Sequence, residues 1–106
     1  MAVVEVAAGV CGHTATITAT RTSGHIVRVS LVSTCPHVQK IGPEMNEVDA
    51  LRQIGLRGGL PSVLETAYGH CAHAACPVPS GLVKAIEVAA GLALPANVEM
   101  RITKDE

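Results

Sequence analysis

Residues 14 to 20 read Thr-Ala-Thr-Ile-Thr-Ala-Thr. This strict alternation places Ala15, Ile17 and Ala19 on one side of an extended chain and Thr14, Thr16, Thr18 and Thr20 on the other. A helix would scatter the same apolar residues around its circumference, so the segment reads as a half-buried strand. Thr22-Ser23-Gly24 is a turn cluster, and alternation resumes from His25 to Ser33 with Val27, Val29 and Leu31 on one face. The two runs form a β-hairpin. Residues 2–8 are a short Val/Ala-rich run that reads as an edge strand, completing a three-stranded antiparallel sheet.

Beyond Ser33 the spacing becomes helical. Thr34 is placed to cap a helix with Pro36 in its first turn. Val38, Ile41 and Met45 follow at helical spacing, and Gly42-Pro43 bends the chain. Asn46 or Glu47 opens a second short helix carrying Val48, Leu51 and Ile54, interrupted by Gly55, Gly58 and Gly59. Pro61 starts a third, with Leu60, Val63, Leu64 and Ala67 apolar. His70 to Pro79 reads as a Cys/His/Pro loop. Ser80 is expected to cap the longest helix, whose apolar stripe is Leu82, Val83, Ile86, Ala89 and Ala90, with Lys84 and Glu87 outward, Gly91 near its end and Pro95 beyond. Asn97 to Thr103 alternates again and predicts a final strand with Val98, Met100 and Ile102 inward; Lys104-Asp105-Glu106 is a solvated end. Strands grouped before helices give an α+β fold: a three-stranded antiparallel sheet, short helices, one long helix packed on the sheet, and a C-terminal strand. At 106 residues the chain is expected to form a single domain, 1–106.

Apolar residues make up 48% of the chain and charged residues 16%, a globular mixture. The only aromatic is Tyr68, so the core must be aliphatic, and no platform exists for stacking bases. Eight basic residues face nine acidic ones without a basic run. Binding driven by charge to nucleic acid or to an anionic membrane is therefore not expected. The opening Met1-Ala2-Val3-Val4-Glu5 lacks a basic region followed by a long apolar stretch, and no segment reaches transmembrane length. The expected compartment is the cytoplasm, which keeps thiols reduced, so the four cysteines read as ligands or nucleophiles before disulfides.

Those cysteines are the chemical signal. Cys11-Gly12-His13, Cys35-Pro36-His37 and Cys71-Ala72-His73 repeat one spacing, and His70 directly precedes Cys71. With five histidines in the chain, such a hit arises by chance about one time in twenty per cysteine. Three hits among four cysteines argue for shared chemistry. Thiolate sulfur and imidazole nitrogen are the preferred donors for Zn²⁺ and for iron in sulfide clusters. In an extended segment Cys11 and His13 would point to the same side. Cys35 stands where a strand gives way to a helix, a position that favours thiolate. Cys76 precedes Pro77 and Pro79 at the entry to the long helix. No Cys-x2-Cys pair is present, so the ligands must come from separate loops. A single cysteine of this kind is as often a small buried hydrophobe. His25 has no cysteine partner and reads as a surface residue, and Gly58-Gly59 reads as a plain turn.

The arrangement resembles the U-type iron–sulfur scaffold family, the NifU N-terminal-like domain. Cys11-Gly12 before the hairpin is similar to that family's first Cys-Gly. Cys35, opening a helix after the second hairpin strand, is similar to the second cysteine. Cys76 before Pro77 and the helix Leu82-Val83-Lys84-Ala85-Ile86 is similar to the third, and His70-Cys71 is similar to the family's His-Cys pair. The resemblance spans residues 9–91. It implies a sheet followed by helices, with a nascent cluster or Zn²⁺ held by three cysteines from three loops and a nearby Asp or His, and donor or acceptor proteins for the metal or cluster as partners. Here His13 stands where the family has Asp, the family's Leu-Pro-Pro-Val-Lys docking segment is missing, and a final strand is added. The whole chain also resembles a small family from anaerobic archaea and bacteria that shares Cys-Pro before a helix of the Ile86 to Pro95 type. That second resemblance implies no particular activity.

Three functions follow. The first is a metal-binding or iron–sulfur carrier with Cys11, Cys35 and Cys76 as main ligands and Cys71, His13, His70 or His73 completing the site, the cofactor being Zn²⁺ or a cluster. The second is a thiol-dependent transferase with Cys35 or Cys76 as nucleophile and His37 or His73 as base. It requires an orienting carboxylate, for which Glu44, Asp49 and Glu65 are candidates. The third is a structural Zn²⁺ module that presents the Thr face of residues 14–20 to another chain.

Overall fold

A computed structural model describes residues 1–105. Four strands, β1 (Ala2–Ala7), β2 (Thr14–Ser23), β3 (Ile26–Ser33) and β4 (Glu47–Asp49), form one antiparallel sheet in the order β1-β2-β3-β4. Three helices accompany it: α1 (Pro36–Gln39), α2 (Ser62–His70) and α3 (Val78–Ala89). The fold is α+β. The three expected strands are present, with β1 at an edge.

The register explains the burial. Ile17 pairs with Val4 on one side and Leu31 on the other, and Ala15 and Ala19 flank it on the same face. Helix α3 packs on β1 and β2, α1 on β3, and α2 on α3. Ile17, Ile41, Leu82 and Ile86 are fully buried between these layers, each contributing about 1.5–3 kcal/mol. With no ring to fill space, the interface closes through small residues. A Cβ on Gly81 would stand 2.9 Å from Val6 Cγ2 and 3.2 Å from Ile17 Cδ1, so glycine there lets α3 sit down on the sheet. The opposite sheet face, carrying Thr14 and Thr16, is exposed.

Four expectations are corrected. The segment opened by Asn46 is not a helix. Val48 pairs with Val27 as part of β4, and the Asp49 carboxylate accepts the Leu51 N–H at 3.1 Å, starting a 3₁₀ turn over Ala50–Arg52. Side-chain capping of the backbone and an open strand edge outweigh a weak helical pattern, and Leu51 and Ile54 are left exposed. Thr34 is not the cap of α1. Cys35 occupies that position, and the Thr34 hydroxyl is used elsewhere. Helix α3 begins before Ser80, because Val78 and Pro79 fit its first turn, where proline loses no hydrogen bond. Residues 97–103 are not a strand of this sheet. They lie beyond α3 without pairing, with Val98, Met100 and Ile102 exposed. A two-residue period reports an extended chain, but not whether a neighbouring edge is within reach. Lys104 and Asp105 are exposed as expected, and Glu106 lies outside the described residues. No helix among the described residues is long and apolar enough to cross a membrane.

Candidate metal or cluster site

The loops at one end of the sheet converge. The first, between β1 and β2, is a tight turn in which the Gly12 N–H donates to the Gly9 carbonyl at 2.9 Å and the Ala8 N–H to the His13 carbonyl at 3.0 Å. Gly9 and Gly12 both have positive φ, 94° and 75°, a conformation that side-chain-bearing residues avoid. The turn leaves Cys11 exposed at its tip.

The second approach is the end of β3. Ser33 Oγ donates to the Thr14 carbonyl at 2.8 Å and accepts the Cys35 N–H at 3.0 Å. Thr34 Oγ1 accepts the Thr14 N–H at 3.1 Å and lies 3.0 Å from His13 Nδ1. These bonds tie the loop carrying His13 to the segment carrying Cys35. The third approach joins α2 to α3. Cys71 terminates α2 through its N–H to the Ala67 carbonyl at 3.1 Å, and the Cys76 N–H donates to the His73 carbonyl at 3.2 Å, just before Pro77 caps α3.

Between the three lies a cavity of about 660 Å³ lined by all four cysteines and by His13, His37 and His73. Val10, Val38 and Val78 supply apolar wall. All four cysteines are free thiols. Cys35, Cys71 and Cys76 are half-buried and pack against the core. Burial, a hydrogen bond with Cys76 and the charges of Cys76 and Cys35 push the Cys71 thiol up to about 12. Three of the four thiols are therefore near enough to influence one another.

Placement separates the candidates. Cys11, Cys35, Cys71, Cys76, His13 and His73 all face the cavity. His70 does not: it leaves the end of α2 toward Glu44 and pairs with that carboxylate. His37, which the sequence suggests only as a possible base, lines the cavity as well; it belongs to the second of the three Cys-x-His triplets. In the sequence Thr34 and Ser33 mark only a helix cap and a strand end, and no local pattern singles them out as supports for His13 and Cys35. No carboxylate is among the lining residues described. Glu44 is paired with His70, and Asp49 caps a turn elsewhere.

The donor set fits a soft metal centre, since thiolates and imidazoles are what Zn²⁺ and iron–sulfur clusters take. Among the described residues, however, no group of three or more His, Cys, Asp or Glu side chains is placed to hold a metal ion.

Fold and site together define a small α+β protein with a cysteine-lined cavity at one end of its sheet. The chain belongs to DUF6951, a family of unknown function whose sequence profile matches residues 2–102. No curated protein and no solved structure matches the chain.

Proposed function

We propose that this protein holds a thiolate-ligated metal centre in the cavity, and that the centre is an iron–sulfur cluster carried as cargo between donor and acceptor proteins. The observation that carries this reading is the convergence of four cysteines and three histidines, from three separate loops, on one cavity. Cys35, Cys71 and Cys76 would be the principal ligands. Cys11 or His13 would complete the set, with His73 and His37 at hand.

One feature favours a cluster over a single ion: the cavity is far larger than a bare ion requires. Exposure of Cys11 on a glycine-hinged turn favours a carrier over a permanent structural site, because that ligand can be exchanged. The resemblance to U-type scaffolds, with cysteines in each of three corresponding loops, supports the same reading. The reading implies a reducing compartment such as the cytoplasm. The thiol-transferase alternative is weaker, because no carboxylate lines the cavity to orient His37 or His73 as the base.

The test is to purify the protein without oxygen, record its visible spectrum, and assay iron, sulfide and zinc. Iron and sulfide in matching amounts with a broad visible band, lost in the Cys35→Ser/Cys71→Ser/Cys76→Ser variant, is the expected result. Stoichiometric zinc without sulfide would replace the cluster by a single ion. Protein that is metal-free and cannot be reconstituted overturns the proposal.

A further inference from the structure

The molecule displays two halves of a β-interface that do not meet within one chain. The first half is the outer edge of β1. This strand pairs with β2 alone, so its other row of backbone groups is open along Ala2–Ala7. Open edges of this kind recruit a further strand. The opposite edge, β4, is only three residues long. The second half is the segment 97–103. It forms no strand pairing, and its sequence alternates polar with apolar residues; Arg101 Nε donates to the Glu99 carboxylate two residues away, as same-side neighbours of an extended chain can. Val98, Met100 and Ile102 alternate with them in sequence and are 59%, 77% and 90% exposed. An apolar stripe of this kind is costly to leave in water.

We propose that two copies of this chain exchange these segments, residues 97–103 of each adding as a fifth strand to the β1 edge of the other. The exchange is reciprocal and therefore closes as a twofold dimer. The matching register sets Met100 and Ile102 beside Val4 and Val6, extending the apolar face beneath α3. It also sets Arg101 on the solvent side beside Glu5, where the charges are opposite. The segment and the edge are of similar length, and the long molecular dimension of 50 Å against 27 Å in the other two fits an arm that reaches outward. The family profile likewise runs from Ala2, the first residue of β1, to Ile102, the last apolar residue of the arm. The arm thus belongs to what the family shares. This proposal stands whether or not the cavity binds metal.

Light scattering on the full-length chain should give the mass of two chains at micromolar concentration. Met100→Asp with Ile102→Asp should raise the dimer dissociation constant by about tenfold or more, leaving the helical circular dichroism signal intact because neither residue is in the core. Met100→Leu should remain dimeric. Isotope-filtered NMR on labelled and unlabelled chains refolded together should show contacts between Met100 and Val4 or Val6 that cross between chains. A wild-type chain that is monomeric, a dimer that survives the double Asp variant, or contacts confined to one chain would each overturn the proposal.

Discussion

His13 Nδ1 lies 3.0 Å from the hydroxyl oxygen of Thr34, which also accepts the Thr14 N–H. An imidazole that offers Nε2 to a metal carries its proton on Nδ1, and Thr34 Oγ1 is placed to accept that proton. The contact orients the ring. Thr34→Val keeps the shape and removes the acceptor, so it should weaken metal or cluster retention about tenfold or more. Competition with a chromophoric chelator measures this. Unchanged retention would remove His13 from the ligand set.

The histidines should divide by position. His70 is engaged by Glu44, away from the cavity, so His70→Ala should leave metal content unaltered. His13→Ala should lower it. Metal analysis of the two variants prepared in parallel decides the matter, and a loss in His70→Ala alone would reverse the assignment.

The metal-free protein should weaken at alkaline pH through Cys71. Its thiol is raised from the ordinary 9.0 to about 12 by burial, by its hydrogen bond with Cys76 and by the charges of Cys76 and Cys35. Below 9.0 both folded and unfolded chains keep this proton, so the group's contribution is fully present. Between 9.0 and about 12 the unfolded chain releases the proton while the folded chain retains it, and stability falls as pH rises. Denaturant titrations across that window should show the decline, and Cys71→Ala should flatten it.

Gly81→Ala should destabilise the fold although alanine is the better helix former. The new methyl would meet Val6 Cγ2 at 2.9 Å and Ile17 Cδ1 at 3.2 Å. Overpacking costs about 1–3 kcal/mol, against a helix-propensity gain of about 1 kcal/mol. A lowered Tm by calorimetry is the expected outcome, and an unchanged or raised Tm would show that α3 can lift from the sheet at little cost.

Gln53 caps α2 from outside the helix. It is buried, its Oε1 accepts the Val63 N–H at 3.0 Å, and its amide donates to Ser62 Oγ at 3.1 Å. Gln53→Ala leaves that N–H without its partner and should cost about 1–2 kcal/mol in chemical denaturation. Since α2 delivers Cys71, the same variant should also bind metal less tightly.

Much of the fold was written in local patterns. The alternation of residues 14–20 and 25–33 set the hairpin and its buried face, because a period of two is a property of each strand alone. Val38, Ile41 and Met45 are all buried as their spacing required. The segment at 46–54 misled because its apolar spacing was short and Asp49 offered the backbone a competing bond. At 97–103 the two-residue alternation was readable, but it did not make a strand, because no partner strand meets it among the described residues.

The site divides the same way. The three Cys-x-His triplets, a matter of residue type and spacing, are legible in the sequence as candidate donors. Which donors share one cavity depended on how three loops meet at the sheet end: α2 carries His70 to Glu44 while Cys71, one residue later, turns toward Cys76. Sequence by itself determined the chemistry available and the strands that carry it, because side-chain identity and periodicity are local. Tertiary structure alone decided which groups face one another, because that depends on contacts between residues far apart in the chain.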